Sequence, residues 1–358
     1  MITNALGLIG KTPIVNLSSL LPEGSGSLYA KLEGFNPGGS IKDRPALTMI
    51  EEAESKGLLK PGSTIVESTS GNLGVALAMI CAVNGYKCII VVDPRANNHN
   101  LNAIRAYGAS VDLVTEFDPI DGTYQLARIK RVKHLASTIP GAFMPWQYGN
   151  PNNPEAHYRS TGMEIDSYFA GKLDCLVATV STAGHLSGIS RYLKHRGRTT
   201  VTVGVGVKGS VIFGGQKSPT AVTGMGLAWV PENLDESVVD EAYLTTTDQC
   251  FSTVRAIARS HGILLGGSSG ASLFVAIHKA ITLGMGSKVL AIAPDRGDKY
   301  LDELYDDDWL EEKGIISAKG IEPVIEDTMH LKAFRFPQKE LESKLTSDNQ
   351  TGELESAK

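Results

Sequence analysis

The chain has 358 residues, enough for two domains at roughly 100–200 residues each. About 42% of it is hydrophobic and 20% charged, ordinary for a globular protein with a core, and the net charge of −5 excludes the broad basic surface a nucleic-acid backbone requires. No apolar run approaches the ~18 residues of a membrane span, and Met1-Ile2-Thr3-Asn4 lacks the marks of a signal peptide, so the reading is a cytoplasmic protein with no membrane partner.

In chain order, β-rich runs fall at Thr64–Val66, Lys87–Val92, Val111–Val114, Leu173–Ala178, Thr200–Val207 and Lys288–Ala293. Helical patterns separate them at Gly71–Val83, Asn98–Tyr107, Tyr124–Ala136, Pro154–Phe169, His185–Lys194, Ser252–His261 and Ala271–Leu283. Alternation of this kind predicts α/β units with parallel sheets covered on both faces, and ligands where strands end and helices begin. The turn-rich Tyr148–Asn153 can carry the chain between two sheets. Lys208–Leu227 is rich in Gly, Ser and Pro and reads as a surface loop, and the polar stretch from about Gln338 adds little to a core. Cys81, Cys88, Cys175 and Cys250 sit in or beside apolar runs without a CxxC pair, and are expected as buried free thiols.

Five motifs carry chemistry. In Asn36-Pro37-Gly38-Gly39-Ser40-Ile41-Lys42-Asp43-Arg44 a bend precedes a lysine in the first turn of a helix, where positive charge is disfavoured and the amine pKa can fall. Glu67-Ser68-Thr69-Ser70-Gly71-Asn72-Leu73-Gly74 follows a strand and opens a helix, presenting amides and hydroxyls to a carboxylate, or simply capping the helix. Val180-Ser181-Thr182-Ala183-Gly184-His185 repeats that arrangement with small residues suited to a phosphate. Gly266-Gly267-Ser268-Ser269-Gly270-Ala271 opens a further helix, and Thr223-Gly224-Met225-Gly226 lies in the long loop. No GxGxxG follows the first strand, which removes the dinucleotide reading, and no histidine spacing marks a metal site.

Taken in this order, the motifs resemble the cysteine synthase family of fold-type-II pyridoxal-phosphate (PLP) enzymes, from about Gly7 to Leu310. The resemblance implies a tryptophan synthase β-like fold of two open parallel-sheet domains with the cofactor between them. Residues 1–44 and 147–320 would form the large domain, 45–146 a small mobile one, and 321–358 a partly disordered C-terminal extension. A homodimer acting on small amino-acid substrates is implied as well.

The family pattern assigns Lys42 to the cofactor linkage and to general base catalysis. It assigns Asn72 to the ring hydroxyl and Ser181, Thr182, Ala183, Gly184 and His185 to the phosphate. Ser268, or Ser269 if the match slips by one, faces the pyridine nitrogen, and Gly224 lies near the Schiff base. Thr69, Ser70, Gly71 and Asn72 close on the substrate carboxylate together with Gln147. The implied reaction is β-replacement on an O-activated L-serine through an α-aminoacrylate.

Leu73, Tyr148, Ser181 and Ala183 depart from the usual family residues and make the pocket more polar at two positions. With Lys208–Gly214 and Pro294–Leu301, these departures resemble a narrower branch, the 2,3-diaminopropionate biosynthesis enzymes, whose members use O-phospho-L-serine and L-glutamate in siderophore assembly. A phosphoserine donor would make Arg128 the candidate partner for its dianion. Its basic run, Arg128-Ile129-Lys130-Arg131-Val132-Lys133, reads equally as a solvated helix face. Tyr148 and Ser181 would then shape the second-substrate pocket. A plain cysteine synthase using sulfide is the alternative reaction. An inactive relative serving as a sensor is the alternative class, and the intact Lys42, Asn72 and Thr-Ser-Gly-Asn loop speak against it.

Overall fold

The computed structural model describes residues 1–120 and 122–333. The chain runs β1 (Ile14–Asn16), β2 (Ser27–Leu32), α1 (Asp43–Ser55), β3 (Thr64–Ser68), α2 (Asn72–Asn84), β4 (Lys87–Val92), α3 (Asn98–Ala106), β5 (Ser110–Leu113), α4 (Tyr124–Thr138) and β6 (Ala142–Phe143). It continues with α5 (Asn152–Arg159), α6 (Thr161–Tyr168), β7 (Cys175–Thr179), α7 (Gly184–His195), β8 (Val201–Val207), β9 (Glu241–Thr245), α8 (Thr247–His261), α9 (Gly267–Leu283), β10 (Lys288–Ala293), α10 (Asp307–Glu312) and α11 (Glu322–Thr328).

Two sheets result, ordered β1-β2-β10-β7-β8-β9 and β5-β4-β3-β6. Every pairing is parallel except β1 with β2, which is antiparallel at one edge. The central strands are buried along their whole length, as strands covered on both faces must be. Their residues divide with period two. Cys175, Val177, Val289 and Ala291 pack towards Phe251 and Phe274 of α8 and α9, while Leu176, Ala178, Leu290 and Ile292 pack towards Leu186 and Ile189 of α7. The small sheet has its own core, in which α2 is buried along most of its length. All four cysteines are buried and free.

Two sequence expectations change. Pro154–Phe169 is two helices, because Ser160 leaves helical geometry and its hydroxyl donates back to Ala156 O at 2.6 Å, a bond that bends helices. The Lys208–Leu227 segment is no plain surface loop: Ile212 and Phe213 are buried. Phe213 lies so near Gly204 that a Cβ there would sit 2.5 Å from its ring. The start of the expected C-terminal extension packs on the core, with Val324 buried and Ile321, Ile325 and Leu331 against it. The stretch from Gln338 lies outside the described residues. Among the described residues, no helix is long and apolar enough to cross a membrane.

Candidate active site

A cavity of about 890 Å³ opens where β3, β4, β7 and β10 end, so residues following strands of both sheets line it. That is near the upper end of the roughly 300–1,000 Å³ usual for small-molecule sites.

Lys42 lies on its wall. It holds the N-cap position of α1, one residue before the expected first turn, and its own N–H donates to Ser40 Oγ at 3.2 Å. The motif's glycines have local reasons. A Cβ on Gly38 would fall 2.4 Å from Asp43 Oδ1, and Gly39 has φ +78° with the Lys299 side chain beside it. The start of α1 is pinned by Arg44, whose guanidinium donates to Glu33 at 2.7 and 2.9 Å and to Glu164 at 2.6 and 2.9 Å. Buried Lys31 joins the same cluster at 2.7 Å from Glu164, whose carboxyl Arg44 and Lys31 hold at about 2 against its partial burial. Lys42 Nζ has no hydrogen-bond partner among the described residues, and burial pushes its ammonium down to about 8, with Asp295 opposing.

The Thr69–Asn72 loop leaves β3 and enters α2, with Thr69, Ser70, Gly71 and Asn72 all on the cavity. Behind it the buried Glu67 carboxylate accepts from Ser68 N at 2.9 Å, and burial raises its pKa to about 7. Gln147 and Tyr148 face the cavity from the linking turn. The preceding Trp146 has φ +58°, a left-handed conformation held because Asn153 and Asn233 both donate to Gln147 O, at 2.7 and 2.8 Å.

Ser181, Thr182 and His185 line the cavity, while Ala183 and Gly184 lie beneath them as the turn into α7. Ala183 adopts φ +62°, and a Cβ on Gly184 would lie 1.9 Å from Asn153 Oδ1. His185 Nε2 is buried without a partner, and burial together with Lys42 drives the imidazole down to about 3, so it is neutral. Ser268, near the start of α9, faces the cavity; Ser269 is fully buried with its hydroxyl unpartnered, which favours the first of the two serines. Gly224 lies on the rim with φ +82°. Lys208–Gly214, noted in the sequence, does not line the cavity; the lining of that loop begins at Lys217.

Arg128 is no solvated helix residue. It is 8% exposed, its guanidinium donates to Ser70 Oγ at 3.3 Å, and it pairs with Asp93 at 3.2 Å. Within α4 only Arg128 and Val132 are buried; Lys130 and Arg131 point away and pair with Asp118 and Asp112.

Sequence reasoning missed several cavity groups. Asp93 follows β4 and takes two bonds from Arg95 at 3.0 Å besides the Arg128 pair. Asp295 and Tyr300 line the cavity, and Lys299 reaches Asn72 at 2.7 Å. The signal for these three was present, since Pro294–Leu301 stood out as unusual, but not their roles.

Residues 5–295 match the family described as pyridoxal-phosphate dependent enzyme. Among solved structures, an O-ureido-L-serine synthase is 37% identical over 87% of this chain and 99% of its own, with a TM-score of 0.80. An O-acetylserine dependent cystathionine beta-synthase from Helicobacter pylori is 35% identical over 85% and 98%, at 0.77. A cysteine synthase from Entamoeba histolytica is 29% identical over 92% and 96%, at 0.82. The chain belongs to the pyridoxal-phosphate dependent enzymes, within the cysteine synthase family of fold type II. It is a β-substituting enzyme of that family.

The residues present fit the cofactor. The unpartnered Lys42 amine, the orphaned His185 nitrogen at the turn into α7, and the Ser268 hydroxyl at the start of α9 all border one cavity.

Proposed function

We propose that the enzyme joins O-phospho-L-serine to L-glutamate, releasing phosphate and forming N-(2-amino-2-carboxyethyl)-L-glutamate, a 2,3-diaminopropionate precursor. The observation that carries this reading is the buried Arg128 on the cavity wall beside the Thr69–Asn72 loop. Two guanidinium groups, Arg128 and Arg95, converge on the carboxylate of Asp93, so donors for an anion are concentrated on this side of the cavity. A phosphate dianion can take charge-assisted bonds from these guanidinium groups, whereas a neutral acetyl group does not need them.

Lys42 would hold the cofactor, Asn72 would face its ring oxygen, the Ser181–His185 turn would take its phosphate, and Ser268 would meet its ring nitrogen. Pyridoxal phosphate, when bound, supplies the electron sink that the β-elimination needs. Thr69, Ser70, Gly71 and Gln147 bind and orient the donor's carboxylate. Lys42 Nζ takes the Cα proton and later returns it, a task suited to an amine whose pKa burial has brought to about 8. A hydroxyl at the ring nitrogen does not enforce a pyridinium, which favours elimination over transamination.

The large cavity and the polar side chains of Tyr148 and Ser181 support an amine nucleophile larger than sulfide. A similar protein named for O-ureido-L-serine, a product larger than cysteine, adds to that support. The test supplies O-phospho-L-serine to the PLP-loaded protein with L-glutamate or sulfide in parallel, and follows products by mass. A glutamate adduct without appreciable cysteine is the expected result. Cysteine without the adduct would replace this reading by the sulfhydrylase one.

A further inference from the structure

Lys299 crosses from the segment after β10 to the first residue of α2. Its side chain passes Gly39, where a Cβ would stand 3.2 Å from Lys299 Cε, and its ammonium donates to Asn72 Oδ1 at 2.7 Å and approaches Gly38 O at 3.4 Å. On the other side of the same amide, Asn72 Nδ2 donates to Asp295 Oδ2 at 2.7 Å, and Tyr300 donates to that oxygen at 2.6 Å. An ammonium only donates, so Lys299 can meet only the oxygen of the Asn72 amide. The amide is thereby held in one of its two orientations, with Nδ2 turned towards the Asp295 carboxylate and the Tyr300 hydroxyl. Lys299 itself is 5% exposed and faces the carboxyl groups of Asp295 and Asp43, so its charge is paired within the protein rather than screened by water.

We propose that Lys299 is a positioning residue for the cofactor ring: it fixes the Asn72 amide so that Nδ2, not Oδ1, is the atom offered to the ring oxygen. The inference rests on the assignment of Asn72 to the cofactor under the proposed function. Asp295 seconds the role from the opposite end of the amide. The residues assigned above to the leaving group and the second substrate, Arg128, Tyr148 and Ser181, lie outside this network, so Lys299 acts on the cofactor whichever second substrate is used.

The test compares the parent holoenzyme with Lys299→Met, Lys299→Gln and Asn72→Ala at fixed pH. The readouts are the visible absorption of the bound cofactor and its dissociation constant by dialysis, with melting of each apo-protein as the folding control. Gln keeps a donor and removes the charge, and remains readable should Met fail to fold. The expected result is a changed balance of absorption bands in both Lys299 variants, and about a tenfold weaker hold on the cofactor in Lys299→Met, the loss of one charge-assisted hydrogen bond. A changed spectrum in Asn72→Ala with unchanged spectra in both Lys299 variants would overturn the Lys299 role alone. Unchanged spectra in all three would remove Asn72 from the cofactor, and the inference with it.

Discussion

Replacing Arg128 by Ala separates two roles that its position allows. The guanidinium faces the cavity, yet it also donates to Ser70 in the carboxylate loop. Truncation leaves Asp93 paired with Arg95 through two bonds of 3.0 Å but takes the Arg128 charge away from buried Glu67, so the fold should lose at least about 1 kcal/mol, that of the Ser70 bond. A charge-assisted contact to a phosphate contributes about 1.5–3 kcal/mol, or roughly 10- to 150-fold in kcat/KM. The assay measures kcat/KM for O-phospho-L-serine and O-acetyl-L-serine with one nucleophile. We expect a loss in that range for phosphoserine and less than about threefold for acetylserine, with Arg128→Lys intermediate because it keeps charge without the fork. Equal losses with both donors would mean that Arg128 acts only by holding the loop. Unchanged phosphoserine kinetics would remove it from donor binding.

Lys42→Met should stabilise the apo-protein at neutral pH. The folded pKa of Lys42, about 8, lies below its ordinary 10.5, so the unfolded chain binds more protons between those values and parent stability rises with pH across that window. The advantage of Met should therefore be full below about pH 8, at most about 3 kcal/mol, and gone above the ordinary lysine value; a gap independent of pH in denaturant titrations would refute the cause. Gly184→Ala places a Cβ 1.9 Å from Asn153 Oδ1, the residue that also holds Gln147 O, and should cost about 1–3 kcal/mol and weaken cofactor retention, read by melting and dialysis. Ala183→Gly relieves a left-handed backbone worth about 1–2 kcal/mol, but adds unfolded-state freedom worth about 0.5–1 and removes a fully buried methyl worth about 0.8, so melting should show little net change. A loss of about 1.5 kcal/mol or more, the sum of the two costs with no relief, would show that the left-handed backbone at residue 183 carries no such strain.

The local part of this protein was legible in its residues. Strand–loop–helix alternation, the Lys42 motif, the Thr69–Asn72 loop and the Ser181–His185 turn are each set by contiguous residues whose sizes and hydrogen-bonding groups act over a few positions. Short edge elements were not legible. β1 has three residues, and β2 carries a buried lysine, which is compatible with a strand because Glu164, 133 positions away, and Thr12 O accept from Lys31 at 2.7 and 3.0 Å. The same limit hid the burial of Arg128: its basic run carries four cations, and which one turns inward depends on Asp93 and Ser70 arriving from other elements. Asp295 and Lys299 meet Asn72 from 223 and 227 residues away. Hydrogen bonds and charge pairs of this kind have no period in the sequence, because their partners are chosen by the packing of two sheets around one cavity. Composition and spacing determined the units and the chemistry they could hold; only tertiary packing decided which charges that cavity would see.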